Sequence, residues 1–82
     1  MSWRAAILVD VPNLARATSV IRDLAQYSAV LESLGGAQRR VVVTVDGLDK
    51  VVAGENAMRI VRDALGELVT GDQSLEEVES EE

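Results

Sequence analysis

The chain has 82 residues, 48% of them apolar but only Trp3 and Tyr27 aromatic, and a net charge of −6. A domain this small buries only about 60% of the surface its unfolded chain exposes, so its core of Val, Leu, Ile and Ala is thin and association is a natural supplement to it. Neither cysteine nor histidine is present, which excludes disulfides, thiolate nucleophiles, zinc sites built from those residues and a histidine general base.

Trp3 to Val11 read as a strand, with Trp3, Ala5, Ile7, Val9 and Val11 on one face and Arg4, Ala6, Leu8 and Asp10 on the other. The opening Met-Ser-Trp-Arg enters this strand at once, without the regions of a signal peptide, and no apolar stretch reaches membrane-spanning length. A cytoplasmic protein without membrane contact is expected. Pro12 stops the strand and suits the first turn of a helix, where its missing N–H costs nothing. Leu14, Ala17, Ile21 and Leu24 then recur at helical spacing, with Val20 beside them.

The end of this helix has two readings. It can continue through Tyr27, Leu31 and Leu34 to a C-cap at Gly35. Alternatively it ends near Gln26, Ser28 to Leu34 form a second strand, and Gly35-Gly36 turn the chain into a third strand from Arg39 to Asp46. The hairpin is favoured, because a three-stranded sheet under two helices buries more than a lone strand pair. In the third strand Val41, Val43 and Val45 face one side and Arg40, Val42, Thr44 and Asp46 the other.

Leu48 to Gly54 read as a loop or a frayed turn. A second helix is expected from about Glu55 to Val69, with Ala57, Ile60, Val61, Ala64, Leu65 and Leu68 on its apolar face. Six acidic residues and no basic one fall in residues 72–82, a composition that predicts disorder. The expected fold is thus α+β, with element order β-α-β-β-α. A single domain over residues 1–71 carries a three-stranded antiparallel sheet with two helices packed on one face, followed by an acidic disordered tail over 72–82.

Asp10 and Asp46 each close a strand, and neighbouring strand ends can share a magnesium ion as in metal-dependent nucleases. Ile7-Leu8-Val9-Asp10 looks like the first strand of such enzymes, but their sites need further carboxylates from later strands, and none is offered here. Two solvated aspartates are the expected state. Gly35-Gly36 has no Lys-Ser or Lys-Thr after it and opens no helix, so it is a turn and not a phosphate loop. Lys50 beside Asp49 reads as a solvated loop residue. Arg59 stands four residues after Glu55 and four before Asp63. This spacing gives either a solvent-facing ladder worth about 0.2–0.5 kcal/mol per pair or an arginine poised at a subunit contact. No catalytic residue, metal or cofactor is expected. With the tail set aside, acids and bases balance, and no basic run offers nucleic acid a set of phosphate contacts.

Leu8, Val42 and, in the hairpin reading, Val30 point away from the helices, in company with Ala6, Arg40 and Thr44. Such a semi-apolar sheet face is a candidate dimer interface.

Strand, helix, hairpin and helix, with Val11-Pro12 at the first junction, apolar positions at Ala17, Ile21 and Leu24, and Ala57-Met58-Arg59 opening the last helix, resemble the small dimerisation subunit of the KEOPS complex. The resemblance covers residues 4–69. The chain departs from that pattern in having Asp63 where the family has Asn and a longer connection over Leu48 to Gly54, as a divergent paralogue would. The resemblance implies a non-catalytic scaffold subunit that forms a homodimer or a paralogue heterodimer. Its helices would bind the ATPase-like catalytic subunit of KEOPS and support threonylcarbamoyladenosine formation, with transfer RNA contacted only indirectly through the complex. It also implies that Ala17, Ile21, Ala57, Met58 and Arg59 lie at or near the partner surface.

A second resemblance, to ACT-like small-molecule-sensing domains, rests on Leu14-Ala15-Arg16 after a proline, Leu31-Glu32-Ser33-Leu34 and Val45-Asp46-Gly47. The glycine expected just after the proline is absent, and the acidic tail offers no evident final strand.

Overall fold

The structure, a computed structural model, describes residues 1–81. Strand β1 (Ser2–Asp10) leads to helix α1 (Leu14–Arg22) and a short 3-10 turn (Ala25–Tyr27). Strands β2 (Val30–Gly35) and β3 (Gln38–Asp46) follow, then helix α2 (Lys50–Leu65), a second 3-10 turn (Gly66–Leu68) and strand β4 (Ser74–Ser80). The strands form one sheet in the order β2-β3-β1-β4, with every pair antiparallel. This is the β-α-β-β-α-β arrangement of ferredoxin-like folds.

The two-residue period of β1 and β3 makes the fold. Ala5, Ile7 and Val9 of β1 and Val41, Val43 and Val45 of β3 are buried under the helices. Onto them α1 lays Ala17 and Ile21, and α2 lays Ala53, Ala57, Val61 and Leu65. Each fully buried Val or Leu of this set is worth about 1.5–3 kcal/mol. Trp3 and Tyr27 pack only at the core's margin, and the Trp3 indole N–H donates to the Gly47 carbonyl at 3.1 Å.

Helix starts follow local chemistry. Pro12 lies before α1 and not in its first turn, and Asn13 caps the helix, its Oδ1 accepting from the Arg16 N–H at 3.0 Å. Asp49 caps α2, accepting from the Val52 N–H at 2.9 Å. The cap starts α2 five residues before the expected Glu55, so most of the predicted 48–54 loop is helical. The hairpin reading holds: α1 stops at Arg22, and β2 pairs with β3 through a turn at Gly36 and Ala37, one residue beyond the predicted Gly35-Gly36.

Two expectations are corrected together. The sheet has four strands rather than three, and the domain extends beyond residue 71, because the acidic segment 74–80 is a strand along β1 and not a disordered tail. The physical reason is a bulge. Leu75 and Val78 are three apart, so a regular strand would send them to opposite faces. The β1–β4 register shifts between Ala6, opposite Glu77, and Ile7, opposite Leu75, leaving Glu76 as the extra residue. Both apolar side chains then turn toward α2, where each would meet a Cβ built on Gly54.

Candidate functional site: the open face of the sheet

With both helices on one face, the other face of the sheet is open. Register defines it row by row. Val30 of β2, Val42 of β3, Ala6 of β1 and Glu77 of β4 lie side by side and form a mostly apolar strip. One flanking row is Glu32, Arg40 and Leu8, and the other is Thr44, Arg4 and Glu79. The face forms a shallow depression of about 600 Å³.

Ion pairs hold the flanks. The Arg40 Nε and Nη2 groups donate to the Glu76 carboxylate, the closest contacts at 3.1 Å, and its Nη1 reaches Glu32 at 3.4 Å. Arg40, on β3, therefore ties β4 to β2. Its hydrogen bonds with Glu76 come first among the causes that raise its pKa. Arg4 Nε donates to Glu81 at 3.1 Å, and the Thr44 hydroxyl shares that carboxylate at 3.4 Å. Glu77 and Glu79 stand two apart on β4, on the same face. Hydrogen bonding of the protonated Glu77 carboxyl to Glu79, then the Glu79 charge, pushes the Glu77 pKa above the ordinary 4.5.

Of the residues expected at a dimer interface, Val30 and Val42 stand directly opposite one another, and Leu8 lies on the next strand opposite Arg40. Val30 is 53% exposed, while Leu8 and Val42 are half-buried. Of those implied to face a partner, Ala17, Ile21 and Ala57 are buried, consumed by the packing of the helices on each other and on the sheet. Ala17 and Ala57 are fully enclosed and Ile21 is 6% exposed, so the structure places these three in the core and not on a partner surface. Met58 is half-buried and Arg59 exposed, and both line a groove between α2 and β4. The Met58 carbonyl accepts from Gln73 Nε2 at 2.9 Å. Arg59 donates to Asn56 Oδ1 at 2.9 Å, and Asn56 donates in turn to the Asp46 carbonyl. This relay takes the place of the predicted ladder with Glu55 and Asp63.

Asp10 and Asp46 close neighbouring strands, but antiparallel ones. Asp10 pairs with Gln38 and Asp46 with Ser2, which separates the two aspartates by about 27 Å of strand. They share no ion, and among the described residues no group of three or more carboxylates could hold a metal. No helix of the structure is long and apolar enough to cross a membrane.

Sequence reasoning missed Arg39 and the acidic residues of β4. Arg39 is in phase with Val41, Val43 and Val45 and lies on the core face at 6% exposure. It donates from Nε to the Val11 carbonyl at 3.3 Å and from Nη1 to the Ser33 hydroxyl at 3.0 Å. Its phase with the valines was the available signal. For β4 the signal was the alternation Glu77-Val78-Glu79.

No family model, no curated protein and no solved structure matches the chain.

Proposed function

We propose that this protein is a non-catalytic association subunit that dimerises through the open face of its sheet, and that it serves as the scaffold subunit of a KEOPS-like complex. The observation that carries the reading is the strip of Val30, Val42 and Ala6, with Leu8 beside it, facing away from the helices with no element among the described residues to cover it. A chain without histidine or cysteine, whose strand-end aspartates lie far apart, suits binding better than catalysis. Four strands at about 4.8 Å spacing and some 20 Å of length give roughly 400 Å² per protomer, which is small for a stable dimer and fits a weak one.

The resemblance supplies the KEOPS-like setting. In that setting the contact with the ATPase-like catalytic subunit falls to Met58 and Arg59, the two implied partner residues that reach the surface. The test is mass spectrometry of what co-purifies with the tagged protein from its native cells. Recovery of an ATPase-like tRNA-modification enzyme, reduced by Arg59→Glu, supports the proposal. Recovery of a biosynthetic enzyme, or of the protein alone, contradicts it.

One observation favours a second reading. β4 supplies the final strand that the ACT-like resemblance lacked. On that reading the domain senses a small molecule, and calorimetry with free amino acids would detect the ligand.

A further inference from the structure

The sheet has a second uncovered feature, away from its open face. β4 is an edge strand, paired with β1 on one side only, and edge strands offer backbone donors and acceptors to any extended segment that comes alongside. Beside this edge runs the groove between α2 and β4, with a volume of about 860 Å³. Leu75, Gly54 and Val78 form its floor, and Val51 and Met58 its apolar wall. Leu75 is 41% and Val51 69% exposed, high for apolar side chains that lie together.

A strand added to β4 would turn alternate side chains to opposite faces. One set would enter the apolar groove. The other would lie over the open face beside Glu77 and Glu79. The ion pairs of that face go to Glu32, Glu76 and Glu81, and not to Glu77 and Glu79. Among the described residues neither carboxylate is in an ion pair, and the one cation acting on Glu77 is Lys50, which lines the groove on the α2 side. A second copy of the chain fits poorly, because β4 against β4 would set glutamates against glutamates, and like charges across a strand pair repel.

We propose that the outer edge of β4 is a docking site for an extended protein segment in which basic and apolar residues alternate, the apolar ones seated in the α2–β4 groove and the basic ones beside Glu77 and Glu79. This inference stands apart from the dimer reading, which uses the open face and not the edge.

The test uses the full chain and a labelled synthetic peptide alternating Lys and Val, with fluorescence anisotropy for affinity and amide hydrogen exchange for location. The expected result is saturable binding, with slower exchange along β4. Glu77→Lys with Glu79→Lys should weaken binding roughly tenfold and transfer the preference to a peptide alternating Glu and Val. Val51→Asp, at an exposed helix position that leaves folding intact, should weaken it independently. Three results would overturn the proposal. One is no saturation up to about 1 mM. Another is equal affinity for a peptide with the same residues in separate Lys and Val blocks. The third is slower β4 exchange with rising protein concentration alone, which would make a second copy the occupant.

Discussion

Gly54 of α2 lies against Leu75 of β4 so closely that a Cβ on Gly54 would stand 2.7 Å from Leu75 Cδ2. Glycine inside a helix costs about 1 kcal/mol relative to alanine, and here the missing side chain lets the acidic strand settle under the helix. Because Leu75 is flexible and partly exposed, Gly54→Ala is expected to leave stability within about 1 kcal/mol, the helix gain offsetting the displaced side chain. Gly54→Leu cannot be absorbed and should destabilise by about 2–3 kcal/mol. Urea unfolding of the two variants checks the difference.

Val78 is the one β4 side chain that reaches the core. Val78→Ala should cost about 2 kcal/mol. Hydrogen exchange in the variant should be faster at β4 than at β3. A disordered tail would show neither effect.

Arg39 is a buried cation held by a carbonyl and a hydroxyl. Replacing it removes a donor from the Val11 carbonyl, and a buried acceptor left without a partner costs about 1–3 kcal/mol. Arg39→Met keeps most of the stem's packing, so it should lose about that amount, and Arg39→Ala should lose more. Chemical denaturation of both variants separates the hydrogen bonds from the packing.

These residues also mark how far the sequence could be read. Val41, Val43 and Val45 announce β3 and its buried face by alternation alone, and Ala17 and Ile21 announce α1 by helical spacing. The open face followed from the same alternation, which is why Leu8, Val30 and Val42 were found. β4 was hidden because its bulge breaks the two-residue period and because its charges resemble a solvated tail. Their partners Arg4 and Arg40 are more than 35 positions away in the chain. The start of α2 was hidden by Gly54, whose reason is a contact with that same unseen strand. The burial of Ala17, Ile21 and Ala57 followed from their phase, but the resemblance assigned them to a partner.

Glu77 gives the pH dependence a definite sign. Facing Glu79 and Glu76, with Lys50 the one opposing charge, its pKa is raised in the folded chain. Between 4.5 and that raised value the folded state therefore binds more protons than the unfolded one, and stability falls as pH rises. Ionised Glu77 is thus unfavourable above the window, and protonation relieves it below. Glu77→Gln should raise the melting temperature at neutral pH, with an advantage over the parent that shrinks as pH falls through the window. Thermal melts across that range check this, and a pH-independent difference would contradict it.

The most direct test of the central claim is sedimentation velocity on the full chain from about 10 μM to 1 mM, a range suited to a small interface, at low and high salt. The account predicts a monomer–dimer equilibrium that strengthens with salt, because two negative sheet faces approach each other. It also predicts that Val30→Glu and Val42→Glu each abolish the dimer while leaving the circular dichroism spectrum unchanged. A chain that stays monomeric throughout, or variants that dimerise as well as the parent, would contradict association through the open face.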